Sequence, residues 1–492
     1  MDTEERIMQE RKEKGEALRS EGTEIYPYAY DLNATSSEVR KVFEKLKPEE
    51  HESMRNSVKV AGRLMTVRLM GKASFATIQD EDGRLQLYFK QDNLGVENYK
   101  MFKQLDLGDF VGVEGSVFKT KTGEVTIEVK SFKLLCKSLR TLPEKYHGLK
   151  DPEIRHRKRY LDLIANPEVK KTFAQRSKAI REVRSYLNEQ GYLEVETPVL
   201  QPQYGGAAAR PFVTKHNALN MDLYLRISPE MYLKRLLIGG FTKVYDINKN
   251  FRNEGIDFDH NPEFTMIEWY EAYSDYNRMM DMCEEMIKRV ALKVYGKQKF
   301  SFKDMEVDLS GTWERIPMTE ALKKYGKVDV EKMNDQDLLK LAIEHEFDSR
   351  ERTRGHLINF LFEKLVEDSL VQPTFIMDHP VEVSPLTKKH RSKPGFVERA
   401  ELFMAKSEFA NIYSELNDPV EQRTRLEEQE TQREKDEENN YPMDEDFCEA
   451  LEYGMPPAGG IGVGIDRLIM VLSENPNIRE VILFPTLRPE NK

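Results

Sequence analysis

The chain of 492 residues is 39% apolar and 33% charged with a net charge of −11, a length that suits two or three domains, each burying its own core. It contains no run of about 18 apolar residues, and the N-terminal MDTEERIMQERKEKGEALRSEG lacks the apolar stretch of a secretory signal, so neither a membrane span nor an export leader is expected. Cys136, Cys283 and Cys448 lie far apart without a CxxC pair, which argues against a disulfide framework or a cysteine zinc site and points to a reducing cytoplasm.

The first thirty residues read as a charged helix followed by the turn-like YPYAY. Between Ser57 and Lys137 short alternating runs follow one another: VKVAGRLM, ASFATIQD, RLQLYF, DFVGVEGSVF and EVTIEVKSFKLL, separated by turn signals such as DEDGR and KTKTGE. Five strands with one helical segment, NYKMFKQL, predict a small closed barrel of the OB type, a common reader of single-stranded nucleic acid. From Ser57 to Arg140 the chain carries 14 Lys/Arg against 10 Asp/Glu, a local basic surplus on an acidic chain that suits a phosphate backbone. SLRTLPEKYHGLKDP reads as a linker. Phe173, Ile180, Val183 and Leu187 then recur at helical spacing until Gly191. Beyond this helix, strands and helices mix without regular βαβ alternation, so an antiparallel sheet with flanking helices is expected. Residues 275–370 read as a mainly helical, charged insertion, and LEEQETQREKDEENN as a solvated helix or loop.

Several nucleotide and hydrolase signatures fail. GGIGVGIDR places Arg467 where a GxGxxG loop needs its last glycine, and there is no GxxxxGK[ST], HExxH or GxSxG. Three clusters remain. Lys243–Tyr273 reads as strand, polar loop, strand, the loop holding Arg252, Glu254, Asp257, Asp259 and His260. In its second strand Phe264, Met266, Glu268 and Tyr270 share one face by period two. An edge strand with one wet side accounts for Glu268 alone, but poorly for the ordered set. In Ala400–Asp418, Asn411, Tyr413 and Glu415 alternate on one face, with Glu401 and Glu408 before them. Carboxylates on neighbouring extended segments suit a hard divalent cation such as Mg²⁺, although a single Glu is more often a solvated surface residue. Finally, GGIGVGIDRLIMVL joins close-packing glycines to an apolar helix, with Arg467 at its start placed for phosphate, for a base or for a structural salt bridge.

These segments resemble the signature motifs of the class II aminoacyl-tRNA synthetases. FRNEG…HNPEFT is similar to the second motif and GxGxGIDR to the third, while the helix around Leu187 followed by YLEVETP, with Pro198, resembles the first. GGAAARPF, HNALNMDLYLRISPE and SELNDP resemble the lysyl branch more narrowly, and the class I signatures HIGH and KMSKS are absent. The resemblance covers nearly the whole chain. It implies an α+β protein: an N-terminal helix and OB-fold anticodon-binding barrel over residues 1–140, a linker over 141–152, and a class II catalytic domain over 153–492 that works as a homodimer. The implied reaction is ATP-dependent activation of L-lysine, then transfer to the 3′ end of tRNA(Lys).

Carried over by motif, the resemblance implies that Arg252 bridges the ATP α-phosphate and the lysine carboxylate. Glu254, His260 and Asn261 meet the nucleotide, Phe264 stacks on adenine, and Arg467 holds the γ-phosphate end. Glu401 and Glu408 hold Mg²⁺. Glu230, Glu268, Tyr270, Asn411, Tyr413 and Glu415 line the lysine pocket under a closing loop with Gly206 and Ala207, and Arg68, Phe75 and Gln86 meet anticodon bases. The chemistry of lysine agrees: a pocket for two ammonium groups needs acceptors at both ends, Glu230 for the α-amine, Glu415 and Tyr270 for the tip. A buried carboxylate without its cation costs roughly 3–5 kcal/mol, so neutral substrates are rejected, whereas ornithine, one methylene shorter, differs by only about 1–3 kcal/mol. Ala400, Lys406-Ser407 and Ala458 depart from the usual family residues without removing a proposed group. An aspartyl- or asparaginyl-type enzyme would need a cation or amide partners where this chain has Glu230, Glu268 and Glu415. A protein-modifying relative would lack the barrel, and a binding protein with a dead site would not retain Arg252, Glu254 and Arg467.

Overall fold

In the computed structural model, which describes residues 3–45, 57–143, 149–348, 352–433 and 443–490, the alternating segments of the N-terminal third close on themselves. Helices α1 (Thr3–Ser20) and α2 (Ser36–Lys45) precede β1 (Val58–Met70), β2 (Ala73–Gln79), β3 (Arg84–Lys90), α3 (Gln91–Leu94), α4 (Val96–Lys103), β4 (Phe110–Lys119) and β5 (Val125–Cys136). The strands form a closed barrel in the order β1-β2-β3-β5-β4, matching the OB expectation. Period two sends Leu85, Leu87 and Phe89 of β3 into a core shared with Val60, Leu64, Ile127 and Val129. The intervening residues of the same strands face outward.

This N-terminal unit is Met1–Lys150; the second compact unit is Asp151–Lys492. Residues 144–148 of the expected linker and 434–440 of the expected charged helix or loop lie outside the described residues, while 419–433 are helical. The second unit begins with α5 (Pro152–Arg157), α6 (Arg159–Ala165) and α7 (Pro167–Glu189), followed by β6 (Leu193–Glu194), β7 (Leu200–Gln201), β8 (Val213–His216), β9 (Met221–Leu225) and α8 (Glu230–Ile238). Next come β10 (Lys243–Phe251), β11 (Glu263–Ala272), α9 (Tyr276–Val290), β12 (Lys299–Phe302), β13 (Met305–Asp308), β14 (Glu314–Pro317), α10 (Met318–Ala321), α11 (Asp335–Glu344) and α12 (Arg354–Leu365). The chain finishes with β15 (Thr374–Pro380), β16 (Phe396–Met404), β17 (Ser407–Ser414), α13 (Pro419–Arg433), α14 (Glu445–Glu452), β18 (Ala458–Gly464) and α15 (Ile465–Leu472).

Eight of these strands make one sheet, β14-β15-β16-β17-β18-β11-β10-β6. Its six central strands are antiparallel, as expected, but both edges are parallel pairs, β14 with β15 and β10 with β6. The sheet is therefore mixed. The expected helical insertion also differs: it contains the β12–β13 hairpin and contributes β14 to the main sheet. Its hairpin turn uses Lys303 and Asp304 at φ 48° and 63°, so the glycine that normally announces such a turn is missing. Pairing of β14 with a strand some sixty residues later leaves no local trace at all.

One face of the sheet is covered by α7, α9 and α15. Ile267 and Trp269 of β11 are fully buried there with Leu187, Met279, Met286 and Leu468. Alternation then forces Phe264, Met266, Glu268 and Tyr270 onto the opposite face, where an open cleft of about 1340 Å³ lies.

Candidate active site

Strand register builds the cleft floor. Glu268 pairs with Gly462, Gly462 with Asn411, and Asn411 with Glu401, giving one row of side chains across four strands. The neighbouring row is Tyr270, Gly460, Tyr413 and Arg399. The glycines of β18 thus lie between two polar strands and keep the floor low. At Gly460 this is obligatory, because an added Cβ would overlap the Glu415 carboxylate and the Tyr270 ring.

At one end the cleft is acidic and buried. Glu230 opens α8, its backbone N–H donating to Ser228 Oγ at 3.0 Å, so the helix start fixes the carboxylate's place. Glu268 accepts from Ser228 Oγ at 2.9 Å and from Tyr270 Oη at 3.1 Å. Burial and the neighbouring charge of Glu230 push its carboxyl up to about 8, against the pull of those hydrogen bonds. Glu415 follows β17 and sits beneath Gly460 and Tyr270, almost wholly buried. Burial raises it to about 8 as well, with Glu230 adding and Lys234 opposing. Its Oε1 has no hydrogen-bond partner among the described residues.

Lys234 did not stand out in the sequence. Its ammonium, fully buried, lies 2.6 Å from Glu230 Oε1 and 2.6 Å from Glu415 Oε2. Burial works against the charge, but the two carboxylates outweigh it and hold Lys234 above the ordinary lysine value. Only the spacing of Glu230 and Lys234, one helical turn apart, was visible, and that spacing reads as a surface pair. Gly206, at φ 85°, lets the adjoining loop pass over this site; an added Cβ would come within 2.9 Å of Ser228 Oγ and 3.0 Å of Glu230 Cβ. Ala207 beside it also lines the cleft.

The other end is basic and more open. Arg252 emerges from β10 with its guanidinium 5.1 Å from the Phe264 ring centroid, its Nε unpartnered among the described residues. Burial lowers its pKa, countered by Glu254, Glu408 and Glu268. Glu254 is exposed at the rim. Arg467 donates to the Glu408 carbonyl at 2.7 Å and lies 2.9 Å from His260 Nε2, while His260 Nδ1 meets Asp257 at 2.8 Å. Asn261 holds the loop itself: its amide donates to the Glu263 carbonyl at 2.6 Å and accepts from the Thr486 N–H at 3.2 Å. Arg176 of α7 braces this end from behind, 2.5 Å from Asp466 and donating to Thr265 Oγ1 at 3.0 Å. Asp466 in turn accepts from the Thr265 N–H at 2.6 Å.

Between the ends stand Glu401 and Glu408 on adjacent strands. Burial, then the charge of Glu401, raises Glu408 to about 7. Glu401 is bonded by Arg399 and, at 3.3 Å, by Asn411. Arg399, which sequence reading passed over, also donates to Asn411 Oδ1 at 3.1 Å and lies 5.7 Å from the Tyr413 ring. Glu367 faces the same pair and is raised to about 7 by burial and by Glu363, Glu401 and Glu408. A pair of carboxylates on adjacent strands fits a divalent cation that takes one or two protein oxygens and completes its shell from phosphate and water. Among the described residues no group of three or more His, Cys, Asp or Glu forms an all-protein cage.

On the barrel, Arg68 of β1 is the cross-strand partner of Phe75. Phe75 lies 4.8 Å from the ring of Tyr88, and Gln86 accepts from Thr126 Oγ1 at 2.8 Å. The three expected residues therefore share one outer face, with Tyr88 as an additional ring.

Comparison with known sequences agrees with this division. Residues 151–488 match the family described as tRNA synthetases class II (D, K and N), and residues 58–135 match that described as OB-fold nucleic acid binding domain. The chain is 50% identical over 494 residues to a lysine–tRNA ligase of Moorella thermoacetica, covering all of both chains. It is 50% identical over 485 residues to one of Staphylococcus epidermidis, covering 98% of each, and 49% identical over 483 residues to one of Syntrophomonas wolfei, covering 98% and 97%.

Proposed function

Because the chain belongs to the class II tRNA synthetases, among the lysine–tRNA ligases, we propose that its acidic end binds lysine and its basic end ATP. The enzyme ligates lysine to tRNA. The observation that carries the site assignment is the set of carboxylates at the acidic end: Glu230, Glu268 and Glu415 against one internal cation, Lys234, leave two carboxylates in excess, which ionise against the two ammonium groups that lysine brings. Glu230 and Glu268 take the α-ammonium; Glu415 and Tyr270 take the tip, with Asn411 and Tyr413 lining the stem between them.

The substrate carboxylate then points toward Arg252, which aligns it with the α-phosphate of ATP. A carboxylate oxygen attacks the α-phosphorus and pyrophosphate leaves, giving lysyl-adenylate. The 3′-terminal hydroxyl of tRNA(Lys) attacks the carbonyl of that mixed anhydride and AMP departs. No side-chain nucleophile is required; alignment and preorganised positive charge lower the barrier. Phe264 stacks on adenine, with Glu254 and Asn261 beside the nucleotide, while His260 and Arg467 hold the distal phosphates. Glu401 and Glu408 hold Mg²⁺, which supplies neutralisation of phosphate charge when bound. Gly206 and Ala207 close over lysine, and Arg68, Phe75 and Gln86 read anticodon bases by charge, stacking and hydrogen bonding.

A homodimer accords with the apolar Leu193, Val199 and Leu200, exposed just after α7. Sedimentation velocity would detect it. We place the enzyme in the cytoplasm with its tRNA. Among the described residues no helix is long and apolar enough to cross a membrane. ATP–pyrophosphate exchange with each of the twenty amino acids, Mg²⁺ present and tRNA absent, tests the site. Exchange with lysine alone supports it, and exchange with aspartate or asparagine instead overturns the pocket assignment.

A further inference from the structure

Lys234 touches neither the cleft surface nor any proposed phosphate position, yet it is fully buried between two substrate-type carboxylates. A lone structural lysine needs one partner; this one has two, from α8 and from the segment after β17, elements about 180 residues apart in sequence. The groups facing it are Glu230 on its own helix, Glu415 across the sheet end, and the Phe447 ring of α14, 6.0 Å away. Glu268, Tyr270 and Tyr413 complete the shell around those carboxylates. Each ion pair consumes a single oxygen. Lys234 hydrogen-bonds Glu230 Oε1 and ion-pairs with Glu415 Oε2; neither Glu415 oxygen has a hydrogen bond among the described residues, and Oε1, without an ion pair as well, lies directly under Gly460 at the cleft floor.

We propose that Lys234 is a positioning residue for amino-acid selection: a built-in ammonium that ties Glu230 to Glu415, fixes which oxygen of each is left for substrate, and sets the pocket's complement of carboxylates to match two ammonium groups rather than three. This rests on Glu230 and Glu415 being the lysine ligands. Without Lys234 the carboxylates repel one another, take up protons more readily and lose their fixed orientation. A substrate ammonium must then displace those protons before it binds. The consequence is selective: lysine recognition suffers, whereas ATP recognition, carried by residues at the other end of the cleft, does not.

The test is a double-mutant cycle of Lys234→Met and Glu415→Gln, read by pyrophosphate exchange as KM for lysine, KM for ATP and the pH profile of kcat/KM for lysine. Lys234→Met is expected to raise the lysine KM roughly tenfold or more, leave the ATP KM unchanged, and move the acid limb of the profile to higher pH. The double variant removes one positive and one negative charge together, so the pocket keeps the wild-type balance, an excess of two carboxylates. It is therefore expected to fold even where the single variant does not, and its lysine KM should rise less than the product of the two single effects. Additive effects, or a Lys234→Met enzyme with the wild-type lysine KM and pH profile, would overturn the proposal. Failure of the wild-type enzyme to exchange with lysine at all is a separate result, which removes the ligand assignment beneath it.

Discussion

The two ends of the cleft solve opposite electrostatic problems by opposite means. At the lysine end every carboxylate is buried and tied down: Glu230 by a helix start, Glu268 by Ser228 and Tyr270, Glu415 by Lys234. At the nucleotide end the cations stand on a loop and a helix start, Arg252 stacked near Phe264 and Arg467 beside an exposed His260. Burial makes the first end selective, because a rigid acceptor deprived of its cation carries the full cost of desolvation. Openness suits the second, where phosphates arrive with their own charge and leave again as pyrophosphate. On the proposed assignment selection and chemistry are separated along one sheet face, and substitutions should separate with them.

The sharpest break comes at the nucleotide end. On the proposed assignment Arg252→Ala removes the charge that bridges carboxylate and α-phosphate; kcat for pyrophosphate exchange should fall by about 10²–10³-fold, while lysine affinity measured calorimetrically without ATP should fall by much less, through the loss of the carboxylate contact alone. At the other end, Glu415→Gln leaves Lys234 with one ionic partner and the substrate tip with none. An increase of about 10²-fold in the lysine KM is expected, with the ATP KM unaltered.

Sequence patterning exposed these ends unequally. Phe264, Met266, Glu268 and Tyr270 were legible because a strand with one buried face must alternate, and the barrel was legible because its turns are announced by glycine and charge. Arg399 shares a strand face with Glu401 and was findable by the same rule. Lys234 was not: an i,i+4 Glu–Lys pair reads as a solvent-exposed helix face, and its burial depends on Glu415 and Phe447, some two hundred residues away. The brace of Arg176 on Asp466 and the parallel edge strand β14 were hidden for the same reason, since both depend on contacts between segments distant in sequence.

A gentler way to sharpen the comparison is pH. Glu268 and Glu415 sit up at about 8, so in the free enzyme they hold protons below that pH, and a substrate ammonium favours their ionised forms. Lysine binding should therefore release protons and tighten as pH rises toward 8, by roughly tenfold per pH unit for one proton, then level off. Calorimetry in two buffers of different ionisation enthalpy would read the released protons; a pH-independent affinity between 6.5 and 8 would remove this account of the two carboxyls. The smallest effect lies outside the cleft. Phe75→Ala should weaken tRNA binding by about 1 kcal/mol, the low end for one stacked base, because Tyr88 remains beside it. Lysine- and ATP-dependent exchange should be untouched.

On the proposed assignment buried carboxylates select the amino acid by the positive charge at its tip. The most direct test compares lysine with 6-hydroxynorleucine, which keeps the chain length and replaces the tip ammonium with a hydroxyl, in pyrophosphate exchange by the wild-type enzyme. Lysine is expected to be preferred by at least about 10²-fold in kcat/KM; comparable use of the two would contradict the claim.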